Sequence, residues 1–130
     1  MADLKFLVVD DSLTMRRIVV NALKAQGYSL VIEAQDGKDA VAKLLSEGAG
    51  FVITDWNMPE MNGLDLTKWV RTNEQFENIP ILMITTRGNK DDVMEAMKAR
   101  VNNYIVKPFT PQGLKEKIEQ ILKSVEVKSA

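Results

Sequence analysis

Five short apolar runs alternate with helical patterns along this chain, and this alternation limits the possible folds more than any other feature of the sequence. The runs occupy residues 6–9, 30–32, 51–53, 81–84 and 104–106. They are unbroken and rich in β-branched residues, which is typical of strands that are buried on both faces. Strands that alternate with helices predict a parallel sheet covered by helices on both sides.

Helical stripes lie between these runs. Apolar residues recur there at three- and four-residue spacing, which predicts helices that each turn one face toward the sheet. Asp36 is a predicted cap of the second helix, and Thr110 followed by Pro111 is the predicted start of the fifth. The residues expected to face inward are Met15, Ile18, Val19, Ala22 and Leu23, then Ala40, Val41, Leu44 and Leu45, then Leu66 and Val70, then Val93, Ala96 and Met97, and finally Leu114, Ile118, Ile121, Leu122 and Val125.

Five strand–helix units in series predict an α/β fold, a three-layer sandwich with a parallel five-stranded sheet. Because crossover connections are right-handed, few strand orders are possible. We choose the flavodoxin-like order 2-1-3-4-5 from the known doubly wound sheets. The 130 residues include no linker or repeat, so we expect one domain over residues 1–130 with its core at about residues 4–124. Ligands of such sheets bind beyond the carboxyl ends of the strands.

Polar side chains stand at the carboxyl ends of four predicted strands. Asp10 and Asp11 follow the first strand and Asp55 follows the third. Thr85 follows the fourth strand and Lys107 follows the fifth. Each residue alone has an ordinary explanation, such as a helix cap for Asp11. The first and third strands are neighbours in the proposed order, however, so the three carboxylates are expected to converge in one pocket.

Three neighbouring carboxylates need positive charge close by, because like charges raise one another's pKa unless something neutralises them. Mg²⁺ prefers oxygen ligands and retained waters, and the sequence has no Cys and no His that would favour a softer metal. Lys107 supplies a second positive charge and Thr85 supplies a hydroxyl donor. Together these groups predict a site that can hold a tetrahedral dianion beside a carboxylate nucleophile.

The missing residue types exclude several functions. Without Cys or His, the chain has no thiol nucleophile, no Ser-His-Asp triad and no phosphohistidine of its own. Its formal net charge of -1 gives no basic face for nucleic acid, and its apolar runs are too short to cross a membrane. The first residues lack the layout of a signal peptide. We therefore expect a cytoplasmic monomer with no nucleic-acid or membrane partner.

Four sequence blocks carry a resemblance to a known family. They read Phe-Leu-Val-Val-Asp-Asp-Ser at residues 6–12, Asp-Trp-Asn-Met-Pro-Glu-Met-Asn-Gly at 55–63, Met-Ile-Thr at 83–85 and Tyr-Ile-Val-Lys-Pro-Phe at 104–109. With these blocks in this order, the chain resembles the response-regulator receiver family from residue 4 to about residue 124. The segment Thr-Met-Arg-Arg-Ile-Val at residues 14–19 is similar to the chemotaxis branch, whose members signal to the flagellar motor.

The resemblance implies a role for each acidic residue. Asp55 resembles the phosphoacceptor, which takes a phosphoryl group from the phosphohistidine of a histidine kinase or from a small donor. Asp11 and Asp55 resemble direct Mg²⁺ ligands, with the backbone carbonyl of Asn57 as a third. Asp10 resembles the acid that reaches the metal through water.

The resemblance also implies a switch and a set of partners. Lys107 would pair with the phosphoryl oxygens, Thr85 would donate its hydroxyl to them, and Tyr104 would follow inward. The peptide bond between Lys107 and Pro108 is expected to be cis, as in the family. The implied partners are a histidine kinase, a flagellar motor switch protein and a dedicated phosphatase.

Three positions depart from the family pattern. Thr86 stands where the family usually has a small residue and Arg87 where close relatives often carry an acid. With Asn57, these two are expected to tune how fast water or a phosphodonor reaches the site. Arg100 replaces the usual Gly after the fourth helix, so it either adopts a left-handed conformation or lets the helix end differently.

Two outputs stay open. The protein is either a messenger to the motor switch or a receiver that does not bind the switch. In the second case it acts as a phosphate sink or serves another partner.

An aspartyl-phosphate phosphatase or phosphotransferase is the alternative from another class of protein. Such enzymes commonly need a second acid two residues after the nucleophile, and that position is Asn57. An amide cannot act as a general acid or base. We therefore expect no turnover of an external substrate.

Overall fold

A five-stranded parallel sheet forms the centre of the molecule, with helices on both faces. The computed structural model describes residues 4–86 and 88–129. Strands β1 to β5 span Phe6–Val9, Val31–Ala34, Phe51–Asp55, Ile81–Thr85 and Asn103–Val106. Helices α1 to α5 span Leu13–Ala25, Gly37–Glu47, Gly63–Thr72, Lys90–Lys98 and Pro111–Ser129. The strand order β2-β1-β3-β4-β5, with every pair parallel, confirms the predicted flavodoxin-like fold.

The sheet separates two hydrophobic cores. Each central strand contributes to both cores, because neighbouring strand residues point to opposite faces of the sheet. In β1, Leu7 and Val9 belong to the core that includes residues of α2, α3 and α4, whereas Phe6 and Val8 belong to the core formed with α1 and α5. Every residue of β1, β3 and β4 is buried, but β2 and β5 are only partly buried. The prediction of strands buried on both faces is therefore correct for the three central strands and wrong for the two edge strands.

The helices are amphipathic, and within residues 4–86 and 88–129 none combines the length and the apolar character needed to cross a bilayer. Three apolar residues that were predicted to face the core are exposed: Ile18 by 45%, Leu45 by 59% and Met97 by 47%. Consecutive helical residues point in directions about 100° apart, so a residue beside a buried one can face solvent. The buried neighbours are Val19, Leu44 and Ala96.

Strands β3 and β4 extend further toward the site than predicted. Asp55 and Thr85 are the last residues of these strands and not the first residues of the following loops. The Trp56 N–H donates to the Ile84 carbonyl at 3.1 Å, and the Lys107 N–H donates to the Thr85 carbonyl at 2.8 Å. The backbone around the predicted site is therefore part of the hydrogen-bonded sheet.

Candidate functional site

The carboxylates of Asp10, Asp11 and Asp55 meet at the carboxyl edge of the sheet. Each offers one oxygen, and these oxygens lie within 4.8 Å of one another. Asp10 directly follows β1 and Asp55 ends β3, and these two strands are hydrogen-bonded neighbours. The structure therefore brings together the three acids that the strand order predicted to converge.

Helix capping does not explain the position of Asp11, because the cap of α1 is Ser12. The Ser12 Oγ accepts a hydrogen bond from the Met15 backbone N–H at 3.2 Å. The Ser12 N–H donates to Asp10 Oδ1 at 2.9 Å. Asp11 lies between these two residues and is exposed. Its carboxylate is therefore available at the mouth of the cluster.

Lys107 brings positive charge to the acidic cluster. Its Nζ lies 3.3 Å from Asp55 Oδ1 and 3.9 Å from Asp10 Oδ2. The Trp56 N–H donates to the same Asp55 Oδ1 at 2.9 Å. The peptide bond between Lys107 and Pro108 is cis, as predicted.

Burial raises the pKa of both Asp10 and Asp55, and loss of hydration is the largest cause in each case. The hydrogen bond from Ser12 and then the charge of Lys107 lower the pKa of Asp10, and Lys107 also lowers the pKa of Asp55. Neighbouring carboxylates raise both pKa values again. The ammonium of Lys107 does not balance three carboxylates, so the cluster keeps an excess of negative charge that a divalent cation would offset.

The donor set fits a hard divalent cation. All three groups present carboxylate oxygens, and the sequence contains no Cys or His. Mg²⁺ prefers a few carboxylates and keeps several waters. Asp10 and Asp55 are buried whereas Asp11 is exposed, so solvent reaches the cluster from the side of Asp11. These residues could therefore hold Mg²⁺ with part of its coordination left to water or to another ligand.

The other residues predicted for the site lie on β4 and β5 or in the loop after β3. Thr85 is buried at the end of β4, and Asn57 is exposed in the loop after β3. Tyr104 on β5 is half-buried and packs against the same hydrophobic core as Trp56. The Lys117 Nζ lies 5.8 Å from the centroid of the Tyr104 ring. Thr85 and Tyr104 thus stand on the adjacent strands β4 and β5, and their predicted coupling stays a prediction.

The three positions that depart from the family pattern have different outcomes. Thr86 is exposed immediately after β4. Arg87 lies outside the described residues, so its expected place at the pocket mouth stays a prediction. Arg100 has a φ of 72°, which is the left-handed alternative of the two that its position allowed. Its carbonyl accepts a hydrogen bond from Arg71 Nε at 3.0 Å.

Arg16 contacts the site although the sequence motif alone gives it no role. Its Nη1 donates to the carbonyl oxygen of Asp10 at 2.7 Å, and its Nε donates to Glu33 Oε1 at 2.9 Å. The available signal is its spacing from the strand. Helical side chains point back toward the N-terminus of their helix, so a long side chain early in α1 can reach the end of β1.

The chain is similar to known receiver proteins over most of its length. Residues 6–119 match the family model described as the response regulator receiver domain. Chemotaxis protein CheY1 of Helicobacter pylori is 60% identical over 120 residues, which cover 92% of this chain and 97% of that protein. The chemotaxis protein CheY homolog of Campylobacter jejuni is 57% identical over 120 residues, covering 92% of each chain. The structure of the chemotaxis response regulator CheY4 of Vibrio cholerae matches with a TM-score of 0.85 at 36% identity, covering 91% of this chain and 98% of that one.

Proposed function

Because this chain belongs to the response regulator receiver family, we propose that it accepts a phosphoryl group on Asp55 within a two-component phosphorelay. The observation that carries this proposal is the position of Asp55. Its buried carboxylate lies beside two other acids and 3.3 Å from the Lys107 ammonium. The sequence contains no His, so the donor would be the phosphohistidine of a separate histidine kinase or a small acyl phosphate.

The residues around Asp55 divide the work of phosphoryl transfer. Trp56 and Lys107 both contact Oδ1 of Asp55, and we assign Oδ2 as the attacking atom. The bond from Oδ2 to phosphorus forms as the bond from phosphorus to the donor atom breaks, and the donor atom keeps that electron pair. Lys107 would then pair with the phosphoryl oxygens, and Thr85 would donate its hydroxyl to them.

The acidic cluster would hold Mg²⁺ during this transfer. Asp11 and Asp55 would bind directly, together with the backbone carbonyl of Asn57, and Asp10 would bind through water. When bound, Mg²⁺ supplies positive charge opposite the carboxylates and the phosphoryl oxygens. The support is the all-oxygen donor set with its ligand atoms within 4.8 Å.

We assign the signal to chemotaxis, with the flagellar motor switch as output partner and a dedicated phosphatase to end the signal. The support is the identity of 60% and 57% to two proteins named for chemotaxis. Met94 and Met97 on α4 and Val106 at the end of β5 expose apolar side chains to such a partner. Phosphorylation would draw Thr85 and then Tyr104 inward, with a coupling of about 1–3 kcal/mol. The protein would act as a cytoplasmic monomer without turning over an external substrate.

A receiver that does not bind the motor switch is the second candidate, and Arg100 is the observation that favours it. This residue places a charged side chain just past the end of α4, in the left-handed conformation that usually calls for Gly. Binding to a peptide from the motor switch, measured with and without phosphorylation, separates the two outputs. Binding that strengthens on phosphorylation supports the messenger, and no binding in either state supports the phosphate sink.

The acceptor residue is tested by intact mass after incubation with acetyl phosphate. Wild type should gain one phosphoryl group in the presence of Mg²⁺ and none after chelation, whereas Asp55→Asn should gain none. Asp36→Asn is the matched control, because Asp36 is a buried acid that caps α2 and Asn caps equally well. Label that is retained by Asp55→Asn would move the acceptor elsewhere.

We also propose that Thr86 and Arg87, with Asn57, set the lifetime of the phosphorylated state. Thr86 is exposed directly after Thr85, and in this proposal it would border the approach of water to the site. Arg87→Glu should change the rate of dephosphorylation, measured by loss of the mass shift after the donor is removed. An unchanged rate would contradict the role of Arg87.

A further inference from the structure

Arg16 joins three elements at the carboxyl edge of the sheet. It lies in α1, its Nη1 donates to the Asp10 carbonyl after β1, and its Nε donates to Glu33 on β2. Its side chain is 15% exposed and that of Glu33 is 27% exposed. The guanidinium is therefore held from two sides and is partly removed from solvent.

The carbonyl that Arg16 holds belongs to the peptide between Asp10 and Asp11. A peptide group is planar, so a hydrogen bond that holds its oxygen also holds the orientation of the plane that contains the Cα atoms of both residues. The Asp10 N–H donates to the Ala34 carbonyl at 3.1 Å, and this bond fixes the other side of Asp10. Arg16 therefore constrains the angle between the two carboxylates that face Asp55.

We propose that Arg16 is a positioning residue for the divalent cation, acting through the Asp10–Asp11 peptide. This inference rests on the proposed function, since it takes the acidic cluster as the Mg²⁺ site. Glu33 orients the guanidinium, whose fork of donors reaches an oxygen on each side at once. A lysine ammonium has no such fixed geometry.

The charge of Arg16 and its hydrogen bond act on cation binding in opposite directions. A positive charge near the cluster repels a cation, so removing that charge alone tightens Mg²⁺ binding. Removing the hydrogen bond lets the peptide turn and separates the two carboxylates, which weakens Mg²⁺ binding. The sign of the measured change therefore distinguishes positioning from a purely electrostatic effect.

The test measures the Mg²⁺ dissociation constant of the unphosphorylated protein by calorimetry and by the fluorescence of Trp56, which adjoins Asp55. Arg16→Met keeps the apolar stem and should raise the Kd about tenfold, as expected when a residue that orients a ligand is removed. Arg17→Met is the matched control. It removes the same charge, 3.5 Å from the same Glu33 oxygen, but from a side chain that is 61% exposed. Its Kd should equal that of wild type or fall below it.

Arg16→Lys keeps the charge but loses the fork of donors, so it should also raise the Kd, with no opposing gain from a lost positive charge. Unfolding in urea, followed for every variant, separates lost binding from lost folding. If Arg16→Met does not fold, Arg16→Lys decides, because any rise in its Kd comes from geometry.

A Kd for the deciding variant at or below the wild-type value would overturn the positioning role. The proposed Mg²⁺ site would still stand in that case. Absence of Mg²⁺ binding to wild type would instead contradict the proposed function, so the two failures are distinguishable.

Discussion

Arg71 at the amino edge of the sheet and the pair Asp10 and Asp55 at the carboxyl edge are buried charged groups in very different surroundings. Arg71 is 9% exposed, and the two acids are 4% and 7% exposed. The guanidinium of Arg71 donates only to neutral oxygens among its described hydrogen bonds. These are the carbonyls of Arg100, Glu77 and Ile79 and the Oδ1 of Asn102.

The difference shows which buried charge is structural and which one can respond to a ligand. Burial lowers the pKa of Arg71, and the charge of Arg100 adds to this, but each of its hydrogen bonds has a fixed partner within the fold. At the carboxyl edge, like charges face one another and Lys107 offsets them only in part. Free energy lost there on folding can be recovered when a divalent cation binds.

The largest expected change in stability comes from replacing Arg71. Arg71→Met should lower the free energy of unfolding by about 4 kcal/mol, since buried oxygens lose their donor and little water can replace it. Lys68→Met removes an exposed charge from the same helix and should change stability little. Urea denaturation measures both. Phosphoryl uptake by the folded fraction of Arg71→Met should stay normal, and its loss would contradict a purely structural role.

At the carboxyl edge, Lys107→Met should lower the rate of phosphorylation more than it changes the free energy of unfolding. We expect phosphorylation by acetyl phosphate to slow about a hundredfold, the usual effect of removing one positioned donor to a developing anion. Rapid-quench sampling with intact mass gives the rate. Lys115→Met, a change of the same kind at an exposed position on α5, is the control. A rate within a few-fold of wild type would mean that the ammonium of Lys107 does not contact the phosphoryl group.

Removing one of the crowded acids should stabilise the protein, whereas removing the charge of Arg71 should destabilise it. Asp10→Asn relieves burial of a charge and repulsion from Asp55, so the free energy of unfolding without metal should rise by about 1 kcal/mol. Asp36→Asn should not show this gain. Urea denaturation in a chelating buffer measures both variants. A destabilised Asp10→Asn would show that the charged carboxylate of Asp10 stabilises the folded state, contrary to what its raised pKa implies.

The pH dependence of stability gives the smallest effect. The pKa of Asp55 is raised in the folded state, so the folded protein binds its proton more tightly than the unfolded chain does. The buried negative charge therefore destabilises the folded state above the folded pKa, and this destabilisation disappears as pH falls through the folded pKa toward the ordinary value. The metal-free stability advantage of Asp55→Asn over wild type should therefore shrink on acidification. An advantage that grows on acidification would reverse the sign of the shift.

The sequence predicts the strands and the acidic residues at their ends well because both follow from local signals, whereas the strand order is taken from known doubly wound sheets. Short β-branched runs mark the strands, and Asp10, Asp55 and Lys107 stand where those runs end. A parallel sheet then brings the ends together without any further information. Asp55 and Thr85 prove to be strand residues, because β3 ends two residues later and β4 one residue later than predicted, and both side chains stay at the same edge.

The contacts of Arg16 and Arg71 could not be predicted, because they depend on how separate elements meet. Arg16 reaches Glu33 across 17 residues of sequence, and Arg71 reaches Asn102 across 31. Apolar periodicity carries no information on such polar partners. The exposure of Ile18 and Leu45 could not be predicted either. Apolar periodicity gives the side of the helix that faces the sheet, but it does not say which residues at the margin of that side contact the sheet.

A titration of stability with Mg²⁺ shows whether this cation binds the acidic cluster at the carboxyl edge of the sheet. If the carboxylates at the sheet edge are offset by Mg²⁺, the free energy of unfolding of wild type should rise with the logarithm of Mg²⁺ concentration above the dissociation constant. Asp36→Asn should show the same rise, and Asp11→Asn should show little. A wild-type stability that does not change with Mg²⁺, or a full rise in Asp11→Asn, would mean that Mg²⁺ does not offset these carboxylates.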